Sequence, residues 1–131
     1  MATLRENLPS GCQLRILLAE DSEVHQKLTT AMLLREGHSV YVASNGKEAV
    51  EALEGQDFDL VLMDVEMPVM NGLEAITAIR QRESKLGGHI PVVAVTSLSD
   101  AAICLAAGMD AHLPKPLKAD ALSETVQRIL G

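Results

Sequence analysis

The chain has 131 residues, 47% of them apolar, which suffices for one domain with a real core and excludes a disordered tail. Aromatics are only 2%, one Phe58 and one Tyr41 with no tryptophan, so the core must be aliphatic and a base-stacking surface is disfavoured. A net charge of −7 repels nucleic-acid phosphates and anionic lipids, which argues against direct nucleic-acid binding and suits a cation-dependent site or a basic partner.

Cys12 and Cys104 are far apart and lack CxxC spacing, which reads as free thiols in a reducing compartment. No apolar run reaches membrane-spanning length, and the opening MATLRENLPSGCQ lacks the apolar core of a signal peptide. The expectation is a cytoplasmic chain with no membrane insertion. Residues 1–13 read as a flexible lead-in or the cut end of a longer protein, and 14–131 as a single domain.

In chain order, RILLA (15–19) reads as a buried strand. Ser22 can cap a helix from Glu23, with Val24, Leu28, Ala31, Met32 and Arg35 at helical spacing and Gly37 as its stop. SVYVA (39–43) is β-branched and strand-like. Asn45 caps a second helix that places Ala49, Val50 and Leu53 inward. DLVLMD (59–64) is the third strand, and Asn71 caps a third helix carrying Leu73, Ile76 and Ile79. SKLGGH (84–89) is expected to be a flexible loop. PVVAVT (91–96) is the fourth strand, with Pro91 at its first position, where a missing N–H matters least. Ser99 is expected to cap a weak, alanine-rich fourth helix. DAHLP (110–114) is a short fifth strand, and a last helix from about Lys118 buries Ala121, Leu122, Val126 and Ile129.

Five strands alternating with five helices imply parallel strands joined by right-handed crossovers. Strands apolar throughout imply a sheet covered on both faces, hence a doubly wound α/β sandwich. Ligands of such sheets bind beyond the carboxyl ends of the strands. There the sequence places Glu20-Asp21 after strand one, Asp64 after strand three, Thr96-Ser97 after strand four and Lys115-Pro116 after strand five. Strand two ends blandly in Ala43-Ser44.

Three carboxylates brought together need a cation. Two like charges ~5 Å apart at an effective dielectric of ~20 repel by roughly 3 kcal/mol. Lys115 can offset part of this, and the hard oxygens of Glu20, Asp21 and Asp64 suit Mg²⁺ or Mn²⁺. No His or Cys falls at strand ends one, three or four, which argues against zinc. A carboxylate beside such a cation, an ammonium and a hydroxyl can handle a phosphoryl group, with Asp64 as nucleophile, Lys115 balancing charge and Thr96 donating a hydrogen bond.

The motifs LLAEDS (17–22), LMDVEMPVMNG (62–72), AVTS (94–97) and LPKP (113–116), in that order, resemble the response-regulator receiver domains of two-component signalling. IPVVAVT and AGMDAHLPKPL look most like the receivers of hybrid histidine kinases. The resemblance covers nearly all of 14–130. It implies a flavodoxin-like three-layer sandwich with strand order 2-1-3-4-5, and a phosphoryl group passed from a phosphohistidine of a histidine kinase or phosphotransfer protein. It assigns Glu20 and Asp21 to metal binding, Asp64 to phosphoacceptor and metal ligand, the Glu66 backbone carbonyl to the metal, Thr96 to the switch hydroxyl and Lys115 to phosphate pairing. It also implies a cis Lys115–Pro116 peptide and slow self-dephosphorylation. His112 stands where the family places Tyr or Phe and reads as an altered switch residue. Ser97 and Leu98 follow the switch hydroxyl and would govern access to it.

The bland readings are a helix-entry acidic pair for Glu20-Asp21, an ordinary strand-end Thr96 and a surface Lys115; only their company outweighs these. Met63, Met67 and Met70 read as loop and core packing, and His25, His38 and His89 as surface residues. A haloacid-dehalogenase-like phosphatase would use Asp, Thr, Lys and Mg²⁺ too, but resembles a DxD pattern where this chain has DVEMP. A nucleotide-binding flavodoxin-like domain needs a Gly- or hydroxyl-rich loop where this chain has AEDSEVHQ. A degenerate receiver used only for docking conflicts with the intact acidic set.

Overall fold

The structure is a computed structural model that describes residues 13–96 and 100–130. Its elements are β1 Arg15–Ala19, α1 Glu23–Arg35, β2 Ser39–Ala43, α2 Gly46–Gly55, β3 Leu60–Met63, α3 Gly72–Leu86, β4 Val92–Thr96, α4 Ala101–Ala107, β5 Ala111–Pro114 and α5 Ala119–Leu130. The expectations for 1–12, including Cys12, and for Ser97, Leu98 and Ser99 lie outside the described residues.

All strand pairs are parallel, in the order β2-β1-β3-β4-β5. Strand side chains alternate between faces, and here both faces are apolar. Leu17, Ala19, Val61, Met63, Val92 and Ala94 meet Ala49 and Ala52 of α2, Ala75, Ile76 and Ile79 of α3 and Cys104 of α4. Ile16, Leu18, Leu60, Leu62, Val93 and Val95 meet Leu33 of α1 and Leu122 and Val126 of α5. Each fully buried Leu, Val or Ile contributes roughly 1.5–3 kcal/mol, which is how a chain nearly without aromatics secures three layers.

Side-chain caps start three of the helices as the sequence predicts. Ser22 accepts from the His25 N–H, Asn45 from Glu48, and Asn71 from Glu74, whose own carboxylate returns to the Asn71 N–H as a capping box. Gly37 follows α1 at φ +94°, a conformation only glycine adopts without strain.

Several boundaries differ. β3, β4 and β5 are each shorter than predicted by one or two residues, because the end residues Asp59, Asp64, Pro91 and Asp110 lie just outside the paired strands. α5 starts at Ala119 rather than Lys118, and Asp100 occupies the N-cap position of α4. Ser84–Leu86, expected in a loop, complete α3; the turn comes at Gly87 and Gly88, both at positive φ. The larger correction concerns α1. Val24 and Leu28, read as part of a helically spaced set, are about two-thirds exposed, Ala31 is exposed too, and the side chain buried beneath the helix is Leu33. His38 is half-buried rather than superficial, and its Nδ1 accepts the Leu14 N–H at 3.1 Å.

Candidate functional site

The register Ala19↔Met63↔Ala94 brings the carboxyl ends of β1, β3 and β4 level. Backbone pairing runs one residue past the strands: the Glu20 N–H donates to Ala43 O and the Asp64 N–H to Ala19 O, both at 3.0 Å. Glu20 and Asp64 are therefore carried into the sheet's rim on rigid backbone, and both are buried, at 5% exposure each. Asp21 is exposed beside them, and one carboxylate oxygen from each of Glu20, Asp21 and Asp64 falls within 4.8 Å of the others.

Lys115, just past β5, reaches back into this cluster. Its Nζ lies 2.9 Å from Asp64 Oδ2 and 3.3 Å from Glu20 Oε1. The Lys115–Pro116 peptide is cis. The second oxygens are held by backbone: Ser22 N–H donates to Glu20 Oε2 at 3.1 Å and Glu66 N–H to Asp64 Oδ1 at 3.3 Å. Burial pushes the Glu20 carboxyl up; the Ser22 N–H opposes this, the Asp64 charge adds to it and Lys115 opposes it. Burial alone would depress the Lys115 ammonium, but the hydrogen bond and charge of Asp64, followed by those of Glu20, hold it above the ordinary lysine value. Three carboxylates around one ammonium leave net negative charge in a partly desolvated notch. That donor set, all oxygen, fits a hard divalent cation.

Two glycines shape the loop from Asp64 to Asn71. A Cβ on Gly72 would lie 2.3 Å from Asp64 O, and one on Gly46 would lie 2.5 Å from Met70 O. Their N–H groups donate to Val65 O and Met70 O. Between these clamps Val69 is held at φ +68°, strained for a β-branched residue.

Of the residues predicted from sequence, Glu20, Asp21, Asp64 and Lys115 converge. Glu66 joins them through its N–H. Thr96 ends β4, is almost fully buried, and its hydroxyl donates to Asp100 Oδ2 at 3.3 Å. His112 pairs with Ala94 in register and points to the face opposite Ala111 and Leu113; its Nε2 is buried without a hydrogen-bond partner among the described residues. The sequence reading did not single out Asp100, and it took His25 for a surface residue, although its Nδ1 lies 3.7 Å from Glu20 Oε1. The signal for His25 was available, since i+4 from Asp21 places it on the first turn of α1.

Beside Lys115 and Glu20 opens a mostly apolar hollow of about 420 Å³, lined by Leu28, Met32, Val95 and Pro116 among others. It joins the acidic cluster to the exposed stripe of α1. Among the described residues no helix is long and apolar enough to cross a membrane.

Known proteins are similar to this chain in sequence and fold. Hybrid signal transduction histidine kinase I of Dictyostelium discoideum is 36% identical over 128 residues, covering 89% of this chain and 7% of that protein. Hybrid signal transduction histidine kinase B of the same organism is 40% identical over 130 residues, again 89% and 7%. The chain thus spans under a tenth of the length of these two relatives. Among solved structures, the receiver domain of sensor histidine kinase PA1611 from Pseudomonas aeruginosa, with a magnesium ion coordinated in its active site cleft, superposes with a TM-score of 0.82 at 38% identity, covering 91% of this chain and 98% of that one. A chain of the Saccharomyces cerevisiae co-crystal of the histidine phosphotransfer signaling protein Ypd1 with the receiver domain of its downstream response regulator Ssk1 gives a TM-score of 0.81 at 30% identity, covering 87% and 86%. Nothing in the geometry or in these similarities supports a phosphatase, a flavodoxin or a docking-only domain. Residues 16–127 match the family described as response regulator receiver domain, a span from the second residue of β1 into α5. That match covers most of the chain, and this chain belongs to the receiver domains of two-component phosphorelay signalling.

Proposed function

We propose that Asp64 is the phosphoacceptor of this receiver and that its donor is a phosphohistidine on a histidine kinase or a histidine phosphotransfer protein. The observation that carries the reading is the buried Asp64 carboxylate held between the Lys115 ammonium and two further acids. One Asp64 oxygen attacks phosphorus as the P–N bond to the donor imidazole breaks, and the bonding pair leaves on the ring nitrogen, which then takes up a proton. Lys115 pairs with the incoming phosphoryl oxygens, and Thr96 donates to them once its hydroxyl turns inward. Mg²⁺ or Mn²⁺, held by Glu20, Asp21, Asp64 and the Glu66 carbonyl, supplies the positive charge that these acids and the phosphoryl group require. Water attacking the same phosphorus later gives slow self-dephosphorylation. His112 serves as the altered partner in switching.

The exposed Val24–Leu28 stripe and the adjoining hollow offer the donor an apolar landing beside Asp64. The likeness to hybrid kinases supports a place in a longer, cytoplasmic phosphorelay protein.

The test is intact-mass measurement after incubation with acetyl phosphate and Mg²⁺. One phosphoryl group should add to the chain and none to Asp64→Ala. Addition that survives in Asp64→Ala overturns the assignment.

A further inference from the structure

The end of β1 carries one bond that the sheet does not supply. The Glu20 N–H donates to Ala43 O at 3.0 Å, a rung beyond the end of the strand. β2 then stops at Ala43, and Asn45 turns away to cap α2. The Glu20 carbonyl takes its donor from a side chain instead: Gln26 Nε2, on α1, lies 2.5 Å away. Only the amide nitrogen can serve a carbonyl, so this partner fixes the orientation of the amide. The same nitrogen stands 3.5 Å from Ser44 Oγ, at the limit of a hydrogen bond. Gln26 is itself held in place. It is half-buried, and its N–H donates to Ser22 O at 2.8 Å in the capped first turn of α1.

That carbonyl belongs to the peptide that joins Glu20 to Asp21. Glu20 is fixed by other contacts as well: it is buried, its Oε2 accepts from the Ser22 N–H at 3.1 Å, and its Oε1 lies 3.3 Å from Lys115 Nζ. Asp21 is exposed, yet one of its oxygens falls within 4.8 Å of those of Glu20 and Asp64. The planar peptide it shares with Glu20 sets the direction in which it leaves the strand. We propose, on the metal assignment above, that Gln26 is a positioning residue: its amide fixes the Glu20–Asp21 peptide and so keeps the Asp21 carboxylate within reach of the cation. Gln26 is not a ligand and acts through the backbone alone. The acids repel one another before the cation arrives, so an Asp21 freed from this hold turns toward water. Gathering it back on binding costs affinity, which is the cost that a pre-organised site avoids.

The experiment titrates the chain with Mn²⁺ and follows the electron paramagnetic resonance signal of the free ion, since the chain has no tryptophan to report binding. Gln26→Met keeps the length of the side chain and removes the donor. It should bind Mn²⁺ about fivefold more weakly than the wild type, the factor expected for one lost hydrogen bond. Gln26→Asn keeps the amide but is one methylene too short to reach Glu20 O. It should show the same loss, which gives a second reading if the Met variant fails to fold. Ser44→Ala should leave the affinity unchanged, because its contact with Gln26 is the long one. In an Asp21→Asn background Gln26→Met should weaken binding by less than about twofold, a coupling that a merely structural role would not produce. Wild-type affinity in the Gln26 variants overturns the positioning role. So does a full loss that persists in the Asp21→Asn background, or a loss in Ser44→Ala equal to that in Gln26→Met. A wild type that binds no Mn²⁺ sinks the metal assignment and the positioning role with it.

Discussion

Lys115 Nζ stands 2.9 Å from Asp64 Oδ2, so the lysine just past β5 neutralises the acid just past β3. It does so incompletely, because Glu20 shares the same ammonium at 3.3 Å and Asp21 adds a third charge. Carboxylate oxygens this close repel by roughly 3 kcal/mol per pair at an effective dielectric of ~20. Asp64→Asn should therefore stabilise the metal-free chain, by about 1–2 kcal/mol once the weakened lysine pair is discounted. Urea unfolding in EDTA measures this. Mg²⁺ should stabilise the wild type more than the variant, and a variant less stable than the wild type in EDTA would refute the account.

Leu28 is about two-thirds exposed on α1, at the rim of the hollow beside Lys115. Leu28→Glu should leave acetyl phosphate labelling of Asp64 unchanged, because the side chain is absent from the acidic cluster. Transfer from a phosphorylated histidine phosphotransfer protein should fall about tenfold, the loss expected when a central apolar contact becomes charged. Equal loss with both donors would show that α1 serves the site itself rather than the docking of a partner.

Gly72 and Gly55 differ in what surrounds them. A Cβ at Gly72 would stand 2.3 Å from Asp64 O and 2.9 Å from Val65 Cα, whereas one at Gly55 meets nothing within 4 Å. Gly72→Ala should cost about 2–4 kcal/mol and weaken Mg²⁺ binding, since the displaced carbonyl belongs to Asp64 itself. Gly55→Ala should stabilise by about 0.4–1 kcal/mol with Mg²⁺ affinity intact. Paired urea midpoints and Mg²⁺ titrations separate the two effects, and a Gly72→Ala chain that matches the wild type in both would contradict the close approach.

Burial holds the His38 imidazole below its ordinary value of 6.5, against a smaller upward push from Glu36. The neutral ring is also the one that accepts from Leu14 N–H. A folded-state value below the unfolded one means that this contribution is complete above the ordinary histidine range. It is lost as pH falls through the folded value. His38→Asn keeps an acceptor without the titration, so the fall in stability between about pH 8 and about pH 5 should be smaller than in the wild type. Urea unfolding at the two pH values reads it directly, and an unchanged difference would remove His38 from the acid response.

The sequence by itself determined the alternation of five strands and five helices, three of the caps, and the residues at the strand ends. Those are local matters: an apolar run long enough for a buried strand, and an Asn or Ser before a helix. It also identified Glu20, Asp21, Asp64 and Lys115, because parallel strands deliver their last residues to one side of a sheet. It left open which way α1 turns. That helix carries Val24, Leu28, Ala31, Met32, Leu33 and Leu34 around much of its circumference, so spacing alone does not choose a face. Contact with the sheet does, burying Leu33 and leaving Val24 and Leu28 for a partner. Nor could spacing show Arg80 bonding to Gly108 O and Ile90 O, Thr96 meeting Asp100, or Gly72 lying against Asp64 O. These contacts depend on how layers and loops close over one another, and only the folded chain sets such distances between side chains and backbone.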